Sequence, residues 1–200
     1  MSNSRSTHQR SIRTGFILEV ITLTWNVTGV AILTWAALAA RSVALAGFGL
    51  DSLIEIGAST VVLWELRDVA GARRIRALRL IGVAFLVLAC YLGVQSVIVL
   101  AIGYHPRHSV LGIVWTALSA AVMFVLARGK ARTGAELGNE VLVTEGRVTF
   151  VDGVLATAVL IGLVLNAGLG WWWADPLAGM VIVVYGVKEG VGALRHASSP

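Results

Sequence analysis

One cysteine, three prolines and a charged fraction of only 14% leave several classes of protein without support in this 200-residue chain. A lone Cys90 has no partner, which excludes a disulfide framework, and in the third apolar run it reads most simply as a small apolar residue. The prolines and the 22 glycines follow no period, which excludes a collagen-like chain. Soluble domains usually carry about 25% charged residues, so the shortage of charge is itself unusual. Apolar side chains take its place, at 57% of the residues. The mean hydropathy is +0.82.

These apolar residues are grouped into bilayer-length runs. About 20 helical residues cross about 30 Å of hydrocarbon, and 20–40 is a stretch of 21 residues without a charge. The stretch 42–64 has 23 residues and is interrupted only by Asp51 and Glu55. The uncharged stretches 80–106, 108–127 and 153–174 follow, with 27, 20 and 22 residues. A last run, from about 173 to 193, carries Lys188 and Glu189 in its final turns. The expected fold is all-α: a polytopic membrane protein of six transmembrane helices. Residues 1–14 are expected to form a polar tail, 15–193 the membrane domain and 194–200 a short second tail. The strip RGKARTGAELGNE, from Arg128 to Glu140, reads as a polar connector that places Lys130 outside the spans. The fifth helix starts somewhere between Val141 and Gly153, and an early start encloses Glu145 and Arg147. The basic leader MSNSRSTHQRSIRT precedes a run longer than the roughly 7–15 residues of a secretory core, and that run includes Glu19 and Asn26, so the first helix is expected to be permanent.

The net charge of +5 is informative through its placement. If six spans alternate, 14 of the 16 basic residues fall on one side, and only Arg41 and Arg107 on the other. Positively charged connectors stay in the cytoplasm, so both termini are expected there, with the protein in the inner or plasma membrane of the cell. The charge is then a topological signal, and the expected partner is lipid rather than nucleic acid. Trp171, Trp172 and Trp173 fall at the outer interface, where indole rings partition. His105 and His108 flank Pro106 in an outer loop, and their spacing suits either a turn or a metal chelate. Gly179, Gly186 and Gly190 share one face of the sixth helix and allow close packing.

Chemistry is expected where charge is most expensive. An ionised carboxylate in the middle of a membrane helix costs several kcal/mol, and one that persists faces a cavity, a partner or an ion. Asp51 and Glu55, in GFGLDSLIEI, are four residues apart and so lie on one helix face, one turn from each other. No Arg or Lys is expected inside another span to neutralise them, which leaves a bound cation or protons. A site that exchanges protons for a divalent cation is the physical core of an antiporter. Asp152, in VTFVDGVLAT, falls inside the fifth helix, and Glu145 lies two turns before it on the same face, as a metal ligand or an interfacial partner of Arg147. Glu19 and Asn26 in the first helix are candidates for a proton or ion path, with an interface-seeking end residue as the alternative for Glu19.

At these residues the chain resembles the membrane domain of the cation diffusion facilitators. The resemblance rests on ALAGFGLDSLIEIGAST in the second helix, and on VDGVLATAVLIGLVLN followed by WWWADPLAGMVIVVYGVKEG in the last two; it runs from about Trp25 to Gly190. It implies six helices, a homodimer, and export of zinc, manganese, cobalt or iron in exchange for protons, with no resident cofactor. It assigns Asp51, Glu55 and Asp152 as metal ligands, and Asp175 and Pro176 as a structural outer turn. The family carries a His or Asp where this sequence has Val148, so Glu145, Thr149 or water is expected to complete the shell. An oxygen-only shell favours harder ions such as manganese, although the resemblance still puts zinc first. Family members commonly continue into a soluble metal-binding domain, whereas this sequence stops after RHASSP, so a short member dimerising through its helices is expected. The alternative function is a non-transporting membrane protein that binds metal or a partner on the same scaffold. An enzyme is not expected, because no HExxH motif or nucleophile-and-base pair is present.

Overall fold

A computed structural model describes residues 2–65, 71–138 and 140–196. Six helices account for nearly all of them: α1 (Ser2–Ala40), α2 (Val43–Glu65), α3 (Gly71–Ile102), α4 (Val110–Leu137), α5 (Glu140–Leu169) and α6 (Ala174–His196). The helices run long because little in the sequence interrupts them. Pro106 lies between α3 and α4, and Pro176 sits in the first turn of α6, where a missing N–H costs nothing. The basic leader 2–14 is helical and continuous with α1, whose membrane-length stretch begins at Arg13. Arg67, and residues 197–200 of the second tail, lie outside the described residues.

Among the described residues, five helices contain stretches long and apolar enough to cross a membrane: Arg13–Ala40, Gly82–Ile102, Val110–Leu137, Glu145–Leu169 and Ala174–Arg195. The 23 residues of α2 add a helix of about 34 Å at 1.5 Å per residue. The chain is a multi-pass, all-helical membrane protein. Large apolar side chains such as Trp35, Leu38, Val125 and Val184 point outward from the bundle. The usual rule of an apolar interior and a polar exterior gives way, because the solvent for this surface is lipid.

The polar strip after Arg128 is not a loop. Helix α4 carries through it to Leu137 and stops at Gly138, whose left-handed backbone (φ 63°) returns its N–H to the Ala135 and Gly134 carbonyls. Lys130 therefore belongs to α4, and only residues 138–139 separate α4 from α5.

The α4–α5 pair is the most extensive helix interface, followed by α3–α6 and α1–α2. At the α3–α6 crossing Gly82 meets Gly190, and a Cβ on Gly190 would come within 2.9 Å of the Gly82 carbonyl oxygen. The small face expected on α6 is thus used for backbone contact. Helix α1 joins α4 through a stacked Trp25–Trp115 pair, 4.7 Å between ring centroids, and through Trp25 Nε1 donating to Ser119 Oγ at 3.1 Å.

One end of the bundle gathers three turns. The Arg107 N–H donates to the Ala40 carbonyl at 2.8 Å, and Asn166 Nδ2 donates to the Pro106 carbonyl at 3.1 Å. Asp175, fully buried at the start of α6, accepts from the Ser42 hydroxyl and from the backbone N–H of Val43 (3.0 Å) and Ala44 (3.4 Å). A residue of one helix thus caps the first turn of another, where free N–H groups and the helix dipole favour an anion. The apolar core fills this half of the bundle, with Leu33, Leu45, Phe48, Leu92, Val159 and Ile182 among its members.

The cap supports a stability prediction. Asp175→Ala removes the acceptor of three donors, two of them backbone N–H groups at the start of α2. It is expected to destabilise the fold by about 1–3 kcal/mol, with a smaller loss for Asp175→Asn, read as the thermal unfolding midpoint of detergent-purified protein. An unchanged midpoint for Asp175→Ala would show that the cap contributes nothing.

Candidate metal-binding site

The half of the bundle away from Asp175 is polar inside. On α1, Glu19, Thr22 and Asn26 are buried on one face, and on α5 Glu145, Thr149 and Asp152 repeat the same three-and-four spacing. Asp51 and Glu55 on α2 are buried as well, so the expected shared face of this pair is present and turned inward. These residues form two tiers.

The first tier contains a cation that the sequence reading placed elsewhere. Lys130 has no exposed side-chain surface. Its Nζ donates to Glu19 Oε2 at 3.2 Å and to Thr149 Oγ1 at 3.2 Å, and lies 3.6 Å from Glu145 Oε1. Thr149 in turn donates to the Glu145 carbonyl at 2.9 Å. An ammonium has three N–H donors, and here three side chains surround it. The expectation that no basic residue stands among the buried acids is therefore corrected. Two causes bring Lys130 inside. Helix α4 continues past Arg128, and the buried positions Thr116, Ser119, Met123, Leu126 and Lys130 recur every three to four residues, which turns Lys130 inward. Glu19 is an ion-pair partner deep in the bundle, not an end residue reaching for the interface. Glu145 and Thr149, candidates to replace the ligand missing at Val148, are both drawn to Lys130; Val148 itself is half-buried.

The second tier lies about 10 Å further along α1 and α5, seven residues at 1.5 Å each. The Glu55 carboxyl group lies beside that of Asp152 and near the Asn26 amide, and Asp51 acts on Asp152 electrostatically from one turn away on α2. Glu55 Oε1, Asp152 Oδ2 and Asn26 Nδ2 are buried without a hydrogen-bond partner. Two carboxyl groups side by side in a buried interior need positive charge between them, either a proton or a metal cation. The acids supply carboxylate oxygens and Asn26 an amide carbonyl oxygen, the ligand types that hard divalent cations take. Among the described residues, no three His, Cys, Asp or Glu side chains are gathered closely enough to coordinate one ion in this conformation.

Tyr185 on α6, which the sequence reading did not single out, borders the same acids and packs edge-on against Phe85, 5.9 Å between centroids. The outer histidines form no chelate: His105 is exposed and lies against Trp172, 5.1 Å between ring centroids, and His108 is exposed. Cys90 is exposed on α3.

Residues 79–199 match the family model described as the cation efflux transmembrane domain. Transmembrane protein 163 of Xenopus laevis is 26% identical to this chain over 151 residues, covering 71% of the chain and 54% of that protein. The chain thus spans about half the length of the curated relative it matches. With more than half of its length matched, and with six helices enclosing buried acids on α2 and α5, the chain belongs to the cation efflux transmembrane domain family.

Proposed function

We propose that the chain exports a divalent metal cation from the cytoplasm by alternating access, in exchange for protons. Asp51, Glu55 and Asp152 bind the cargo, with zinc first and manganese, cobalt and iron as further cargoes. The observation that carries this reading is the pair of orphaned carboxylate oxygens on two helices, Glu55 Oε1 and Asp152 Oδ2, beside one another in a bundle of the cation efflux family. Unpartnered buried oxygens are costly unless something in the working cycle fills the gap between them. A metal ion fills it in one state and protons in the other, which makes the exchange of one for the other part of the same electrostatic requirement. The site lies between helices near the middle of the bundle, the usual place for a secondary transporter to hold its cargo. The distribution of basic residues supports both termini in the cytoplasm, and the resemblance stated above supports a homodimer made by the helices. The membrane is then the inner or plasma membrane of the cell.

A second reading is a non-transporting protein that binds metal or a partner through the same scaffold. It is favoured by the absence, among the described residues, of three acidic side chains gathered around one point.

Metal uptake into proteoliposomes separates the two. The parent is expected to accumulate Zn2+ or Mn2+ when a pH gradient is imposed, and Asp51→Ala and Asp152→Ala are expected to lose about tenfold or more of that rate, since even groups behind metal ligands are worth about tenfold. Binding without uptake under any gradient leaves the second reading; equal uptake by parent and variants removes the site assignment. Val148→His adds an imidazole one turn before Asp152, and the ratio of Zn2+ to Mn2+ uptake is expected to rise. An unchanged ratio would count against an oxygen-only shell as the source of selectivity.

A further inference from the structure

The two ends of the bundle are closed by different means. At the Asp175 end, side-chain and main-chain hydrogen bonds tie the turns together, and apolar side chains fill the space beneath them. At the other end, α1 is held to the α4–α5 hairpin through Lys130, whose ammonium bridges Glu19 on α1 and Thr149 and Glu145 on α5. Two carboxylates and a hydroxyl are the oxygen donors that a divalent cation would take. In this conformation a tethered cation occupies them. On α1, Thr22 and then Asn26 follow Glu19 on the same buried face, one and two turns nearer to Glu55 and Asp152.

Resting on the transport reading above, we propose that Lys130 is the gate of this end. Its ammonium closes the path between α1, α4 and α5, and a divalent cation reaches Glu55 and Asp152 from that end by displacing it from Glu19 and Glu145. Cation replaces cation, so the buried carboxylates are never left bare, the condition under which breaking a buried ion pair becomes prohibitive. A lysine suits the role because a compact charge on a flexible four-carbon stem moves without moving the helix, which a planar guanidinium held by several bonds does less readily. The hairpin itself has little room to part. A Cβ on Gly146 would come within 2.9 Å of the Ala131 nitrogen and 3.1 Å of the Ala127 oxygen, so α4 and α5 are in backbone contact beside the gate. Opening then falls to the lysine side chain and to α1.

The chain contains two lysines, Lys130 buried and Lys188 exposed, which gives an internal reference for amine footprinting. Proteoliposomes holding the unaltered chain are treated with a small acetylating reagent with and without saturating Mn2+, and the two lysines are quantified by mass spectrometry. Without Mn2+, Lys130 is expected to be nearly unmodified relative to Lys188. With Mn2+ the ratio is expected to rise about tenfold or more, as binding shifts the population to the displaced state. Glu55→Gln is expected to abolish the rise, which a purely structural lysine would not show. A flat ratio while the same liposomes accumulate Mn2+ overturns the gate and leaves transport standing. A rising ratio in liposomes that accumulate no cation upholds the displacement and removes the transport reading.

Discussion

Hydrocarbon offers no partner to a charge, so an ion buried between helices has to be answered from within the protein. Five carboxyl groups, Glu19, Asp51, Glu55, Glu145 and Asp152, and one ammonium, Lys130, are buried on α1, α2, α4 and α5. The single lysine answers Glu19 and Glu145. Among the described residues no cationic side chain pairs directly with Glu55 or Asp152, and under the proposed function a mobile cation supplies that charge.

The imbalance is tolerable because it is confined. The half of the bundle near Asp175 is packed with apolar side chains and closed by hydrogen bonds to Asp175. The other half holds the acids in two tiers, one answered and one open. Apolar packing and buried acids are thus separated along the helix axes. A lipid-facing surface of exposed Trp, Leu and Val encloses both halves.

Much of this was legible in the chain. Bilayer-length runs defined the helices, because the cost of unsatisfied backbone groups leaves few other ways to cross a membrane. The four-residue spacing of Asp51 and Glu55 defined a shared inward face, because helical geometry admits no other placement. The composition of RGKARTGAELGNE hides the place of Lys130, because a basic run reads as a connector. Phase along the helix held the better signal: counting back from Lys130 through Leu126, Met123 and Ser119 stays on one face. Its identity held another, since 14 of the 16 basic residues are arginine and a lysine among them stands apart. The diversion of Glu145 and Thr149 to Lys130 was not legible, because it depends on how closely Gly146 lets α5 approach α4, a tertiary distance that no local pattern encodes.

Asp175 does more than end a turn. By binding the first N–H groups of α2 it fixes how that helix is rotated about its own axis, and Asp51 and Glu55 follow about two and three turns later on the same rigid rod. The azimuth of the acid pair is therefore tied to the length of the short link at 170–173, which sets where Asp175 can reach. Change of loop length is ordinarily among the easiest a protein accommodates. At this link a residue gained or lost would move Asp175 from the N–H groups it holds, and the start of α2 would lose its cap.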